Sequence, residues 1–182
     1  MVFRLFRQKK TERPAPTYAA LLIDMQEAFF GTYRDQHLKP IISAQSTVLK
    51  FCASQDIPVA VIEYQKCGST ASSLRKGIAD IPRSVTIEKS IPDAFYSTSL
   101  DEQLRLWNAT DLIVMGIYAS ACVFATATHA VEKGYVVHTA KDLIADPFTL
   151  RGEGKTDFAW YKEHTTLHKT TQQLIEDYSV RI

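Results

Sequence analysis

Glycine is scarce in this chain. There are seven in 182 residues, and neither G-x-G-x-x-G nor G-x-x-x-x-G-K occurs, so the Gly-rich loops that cradle nucleotide phosphates are absent and no redox cofactor is expected. Cysteine is rarer still. Cys52, Cys67 and Cys122 are odd in number and far apart, which argues against a disulfide framework and suits a reducing compartment. No run approaches 18 uncharged apolar residues, so no membrane span is expected. Neither sign of charge dominates, with 21 basic and 20 acidic residues, but the balance is uneven along the chain. Residues 1–16 carry five basic side chains against Glu12, whereas residues 17–182 hold sixteen basic and nineteen acidic, a net of −3. An acidic body lacks the electrostatic footprint of a nucleic-acid binder, so a small neutral or weakly charged ligand is expected. The basic segment breaks its apolar residues with charges and is no secretory signal, so a cytoplasmic address follows. With Pro14 and Pro16 it reads as a flexible arm preceding one domain over 17–182, and deleting it should leave that domain working. At this length a chain buries about 70% of the surface it exposes unfolded, so the core needs neither metal nor disulfide.

From Tyr18 onward short apolar runs alternate with stretches of helical period, the pattern of repeated βα units on a parallel sheet. Strands are expected at Tyr18–Ile23, Ile57–Glu63, Val85–Ile87, Leu112–Met115 and Tyr135–Thr139, with a further one around Ser179–Ile182. Helices are expected at Leu38–Ala53, Leu100–Trp107, Ala121–Lys133 closed by Gly134, and Thr156–Tyr178. The stretches Gln65–Arg83 and Asp146–Lys155 read as loops. The expected architecture is a three-layer α/β/α domain with a mostly parallel sheet of five or six strands. Ligands in such sheets bind beyond the carboxyl ends of the strands.

The residues at those ends are Asp24, Glu63–Tyr64, Lys89, Cys122 and Asp142. Ser120 is expected to cap the Ala121–Lys133 helix and so to place the Cys122 thiol in its first turn. There the helix dipole lowers a thiol pKa, and free N–H groups can receive an oxyanion. Asp24, if adjacent, could take the thiol proton and return it to a leaving group, with Lys89 holding the carboxylate ionised. Taken singly each has an ordinary explanation: Asp24 as a helix cap, Lys89 as a solvated lysine, Cys122 as a small core residue. Spacing does not choose between these readings.

Three blocks do carry a resemblance: AALLIDMQEAFF, IEKSIPDAFYSTSLDEQL and DLIVMGIYASACVFATATHAVEKGYVVHTAKDLI. Together they resemble the signature blocks of the isochorismatase-like cysteine hydrolase family, which includes nicotinamidases and related amidases. The resemblance runs from about Tyr18 to Asp146, in family order. It implies a triad of Cys122 as nucleophile, Asp24 (with Gln26) as acid/base and Lys89 (with Phe95) as electrostatic partner. It also implies acyl transfer to Cys122, release of ammonia or an amine, and hydrolysis of a thioester. A cis peptide at Ile117–Tyr118 would place the Tyr118 and Cys122 N–H groups as an oxyanion hole. Phe29 and Tyr118 are the best candidates for pocket walls, with Gln26, Tyr64 and Phe95 as further substrate contacts; Phe30 and Tyr96 complete the nearby aromatics. Relatives commonly form dimers or tetramers, so a homo-oligomer is expected.

Two departures narrow the substrate. Nicotinamidases follow the second strand with Asp-x-His and further metal-binding histidines, whereas here YQKCGSTASS follows and no histidine lies between His37 and His129; no metal is expected. True isochorismatases lack the cysteine. A papain-like Cys/His pair is the obvious rival, but His129 stands two helical turns, roughly 10 Å, from Cys122. His138 reads as a core or sheet-face residue, and His164 with His168 as an i,i+4 pair on a solvated helix face. Two alternatives stay open: a non-catalytic binding or scaffold protein that keeps the fold, and a hydrolase of another acyl bond.

Overall fold

In a computed structural model of the protein, residues 14–179 are described. The basic residues 1–13 and the last three positions of the expected terminal strand lie outside the described residues.

Short, continuously apolar runs form the interior strands. β1 (Tyr18–Ile23) and β4 (Asp111–Ile117) are buried at every position, as strands covered on both faces must be. β2 (Val59–Tyr64) lies on the other side of β1, and β3 (Ser84–Lys89) forms the edge. Exposure alternates along the end of β3, which turns Ile87 and Lys89 inward together. β5 (Val136–Ala140), β6 (Ile144–Ala145) and β7 (Thr166–His168) complete a sheet of order β3-β2-β1-β4-β5-β7, with β6 paired to β4. Every strand pairing is parallel. The chain winds outward from β1 to β3 and then returns to lay β4 against the free side of β1. In sheets of this kind the reversal marks the place, at the carboxyl ends of β1 and β4, where ligands bind.

The helices are α1 (Asp35–Ser54), α2 (Ser72–Ala79), α3 (Leu100–Leu106), α4 (Cys122–Glu132), α5 (Pro147–Arg151), α6 (Ala159–His164) and α7 (Thr171–Ser179). α1 packs with α2, α5 and α7, while α4 lies on β4 and β5 and is tied to α3 by Lys133–Asp101 at 3.1 Å. The sheet is thus flanked by helices, as the three-layer expectation required. Gly134 ends α4 at φ +89°, its N–H bonded to Val131 O at 2.9 Å.

Four expectations need correction. Gln65–Arg83 is not all loop, because Leu74 is buried and anchors α2. Asp146–Lys155 contains α5, begun by Pro147 and ended by Gly152 at φ +76°. Thr156–Tyr178 is not one helix: the chain leaves α6 through Thr165 in an extended conformation and forms β7 against β5, with His138 opposite Thr166. Ser179 closes α7 rather than opening a strand.

Candidate functional site

The strand ends bring an acid, a lysine and a thiol together. Asp24 follows β1 at φ +55°, with its N–H bonded to Ile62 O at 2.9 Å. Lys89, turned inward at the end of β3, donates from Nζ to Asp24 Oδ2 at 2.9 Å, and both side chains are wholly buried. Nζ also donates to Ile91 O at 3.3 Å and Pro92 O at 3.1 Å, so its three protons are accounted for. The Tyr64 ring lies 4.8 Å from Nζ.

Cys122 is the first residue of α4 and is buried. Contrary to the sequence expectation, its thiol pKa is pushed up, to about 12, first by burial and then by the Asp24 carboxylate, over the opposing pull of Lys89. Burial and the neighbouring carboxylate thus both favour the protonated thiol. Burial likewise raises Asp24 above the usual carboxylate range, against the stabilising charge of Lys89 and a hydrogen-bonding interaction with Cys122. Asp24 Oδ1 has no partner at full hydrogen-bonding geometry. The thiol therefore sits beside a carboxylate that keeps one oxygen open, as a base awaiting a proton must.

The turn before Cys122 is unusual. Among the described residues no peptide bond is cis, so the bond expected at Ile117–Tyr118 is trans. The chain turns instead through Gly116 at φ +152° and Tyr118 at φ +57°. Gly116 is required by crowding as well, since a Cβ there would stand 2.3 Å from Ile23 O on β1. The Tyr118 and Cys122 N–H groups meet no acceptor among the described residues, while Tyr118 O accepts from Ala121 N at 2.9 Å and Val123 N at 3.1 Å. Ser120 is not the N-cap; that place falls to Ala121, without a side-chain cap. The Ser120 N–H and hydroxyl both donate to Asp146 Oδ1 at 2.7 Å. Tyr161 donates its hydroxyl to Ala119 O at 2.6 Å. Sequence reasoning missed Asp146 and Tyr161. The available signal was the acid at the end of LIAD, the apolar run that forms β6.

Of the expected substrate contacts, Phe29 and Tyr118 meet edge to face at 5.4 Å, and the Tyr33 hydroxyl lies near that of Tyr118. Tyr64 lies over Lys89 and donates its hydroxyl to Ser90 O at 2.7 Å. Gln26 is buried, and its amide is engaged by the Tyr64 N–H at 2.7 Å, Tyr64 O at 3.0 Å and Gly68 O. It latches the loop after β2 to the end of β1. The Phe95 ring faces His129 at 5.1 Å and Tyr135 at 6.2 Å, toward the far end of α4. Phe30 packs on Tyr33, and Tyr96 is exposed.

The histidines are engaged elsewhere. His129 Nδ1 lies 2.7 Å from Asp93 Oδ2 and His138 Nε2 2.9 Å from Asp111 Oδ1. His164 and His168 do not share a helix, since one ends α6 and the other ends β7; His168 is buried, with Nδ1 at 3.1 Å from Asp177 Oδ2. Among the described residues no group of three or more His, Cys, Asp or Glu is placed to hold a metal ion, and no helix is long and apolar enough to cross a membrane.

Sheet order and strand-end site define an α/β protein whose ligand face is the carboxyl edge of a parallel sheet. Residues 18–171 match the family model of the isochorismatase domain, and the chain belongs to the isochorismatase family of hydrolases. It is 27% identical over 150 residues to the uncharacterized isochorismatase family protein YddQ of Bacillus subtilis, covering 76% of this chain and 83% of the relative. It is 26% identical over 166 residues to nicotinamidase 3 of Arabidopsis thaliana, covering 78% and 80%. Among solved structures, that of the MAR1 ribonuclease of Caenorhabditis elegans superposes with a TM-score of 0.74 at 19% identity, over 93% of this chain and 92% of that one. At that identity the likeness speaks for the fold alone.

Proposed function

We propose that this protein is a cysteine hydrolase that cleaves the carbon–nitrogen bond of a small amide at Cys122, Asp24 and Lys89. The observation that carries the proposal is the wholly buried Lys89–Asp24 pair beside the Cys122 thiol at the start of a helix. A buried ion pair is a costly way to stabilise a core, and its open carboxylate oxygen adjoins the chain's best-placed nucleophile. The kinship with a nicotinamidase supports an amide as the bond attacked.

In the proposed reaction Asp24 takes the thiol proton as sulfur bonds to the carbonyl carbon. Oxygen then carries the negative charge toward the Tyr118 and Cys122 N–H groups. Collapse breaks the carbon–nitrogen bond, and Asp24 returns its proton to the departing nitrogen, leaving a thioester. Water, giving its proton to Asp24, attacks the thioester and releases the carboxylic acid; the proton then returns to sulfur. Lys89 keeps Asp24 able to ionise despite its burial. Phe29, Tyr118 and Tyr64 frame the acyl group.

The test is an ammonia-release screen over small amides and carbamoyl compounds, with Cys122→Ala as control. Release that falls to background in the variant supports the assignment, and undiminished turnover in Cys122→Ala refutes it. Cys122-dependent cleavage of thioesters without ammonia release would move the proposal to another acyl bond.

A further inference from the structure

The start of α4 differs from what its sequence favours. Ser120 is the natural cap of the helix, and with Ser120 as cap the helix would start at Ala121. It starts instead at Cys122, because the Ser120 N–H and hydroxyl are both held by one oxygen of Asp146, each at 2.7 Å. Asp146 is itself fixed: it is buried, its N–H donates to Thr156 Oγ1 at 3.2 Å, and its carbonyl accepts from Leu150 N at 3.0 Å. Two further bonds act on the same turn from the same side, Ala119 N–H to Ala145 O at 3.1 Å and the Tyr161 hydroxyl to Ala119 O at 2.6 Å. The β6–α5–α6 segment therefore grips Ala119 and Ser120. The Tyr118 and Cys122 N–H groups on either side are left without acceptors among the described residues.

We propose that Asp146 is the positioning residue of the oxyanion site. By drawing Ser120 out of its capping role it holds the Tyr118–Cys122 turn open, so that both flanking N–H groups remain available to a carbonyl oxygen. This rests on the cysteine-hydrolase reading above. Without the carboxylate, the Ser120 hydroxyl is free to cap α4 and the turn relaxes toward the ordinary helix start. Asp146 makes no hydrogen bond to the thiol, Asp24 or Lys89 among the described residues, so the loss falls first on the oxyanion and not on the nucleophile.

The two roles can be read apart with a small aldehyde. Propionaldehyde adds to a thiol as a hemithioacetal: a carbon–sulfur bond forms, the thiol proton goes to the former carbonyl oxygen, and nothing leaves. That oxygen occupies the oxyanion site. Protection of Cys122 from iodoacetamide by propionaldehyde, mapped on the Cys122 peptide by mass spectrometry, measures the adduct; the alkylation rate without aldehyde measures the thiol alone. In Asp146→Ala the aldehyde concentration for half protection should rise about tenfold or more, with the alkylation rate within about twofold of wild type. Asp146→Asn, which keeps the acceptor oxygen and the shape, should fall between, whereas Ser120→Ala, which keeps the backbone N–H bond to Asp146 and has no hydroxyl to cap the helix, should stay near wild type. Unchanged protection in both Asp146 variants refutes the positioning role, and so does a parallel loss of protection and alkylation. A wild-type protein that forms no Cys122 adduct refutes the cysteine-hydrolase reading and this proposal with it.

Discussion

Lys89→Met separates the structural from the catalytic meaning of the buried pair. Methionine fills much of the lysine's volume but leaves the Asp24 carboxylate buried without its counter-charge, and Ile91 O and Pro92 O without their donor. Breaking one side of a buried pair costs about 3–5 kcal/mol, a large share of the roughly 5–15 kcal/mol that holds a domain together. For a chain of this size the melting temperature should fall by roughly 6–20 °C. Removing both charges, as in Lys89→Met with Asp24→Asn, should recover part of that loss, because the uncompensated buried charge is gone while Ile91 O and Pro92 O still lack their donor. The pH dependence gives an independent sign. Burial already raises the Asp24 pKa above its ordinary 3.8 and Lys89 opposes the rise, so the single variant raises it further. A raised folded-state value means that the stability due to the protonated form is complete below the unfolded value. It is lost as pH climbs through the folded value, so the Lys89→Met deficit should shrink on acidification. Urea unfolding of wild type, single and double variants at pH 4.5 and 7.5 measures both effects. A single variant within about 1 kcal/mol of wild type, or a double variant no better than the single, refutes the account of a mutually dependent pair.

Three further outcomes follow from the same geometry. Only ionised Asp24 can accept the thiol proton, so kcat/KM should decline in acid with a midpoint above 3.8; a midpoint at or below that value overturns the assignment of Asp24 as base. On the alkaline side the thiol, pushed up to about 12, should show alkylation still accelerating at about pH 10, where an ordinary thiol of pKa about 8.5 has levelled off. Gly116→Ala would drive a Cβ to 2.3 Å from Ile23 O at φ +152°, so a loss of about 3 kcal/mol or more is expected in urea unfolding. A near-neutral substitution would show that β1 and β4 do not approach as closely as described.

Much of the site was legible because parallel sheets put function at strand ends. YAALLI is buried at every position, so it could only be an interior strand, and the acid that ends it had to sit at the ligand edge. Lys89 and Cys122 followed by the same rule. The stretch Thr156–Tyr178 was misread because β7 is three residues long and exists only through its pairing with β5, a contact no local period announces. The amphipathic turn of α2 was masked by the polar residues around Leu74. Gln26 matched a family pattern, but its place as a latch depends on Tyr64 and Gly68, some forty residues on.

By itself the sequence determined the parallel α/β plan and the strand-end positions of Asp24, Lys89 and Cys122, which follow from hydrophobic period, a local property; the roles of acid, lysine and nucleophile came only with the family resemblance. The direction of the Cys122 pKa shift and the start of its helix depend on the tertiary structure. Local rules set the helix dipole against the thiol and gave Ser120 the cap. Burial beside Asp24 pushes the thiol pKa up, and Asp146, brought in by β6, takes Ser120 away. Both results depend on desolvation and on partners distant in sequence, which exist only once the chain has folded.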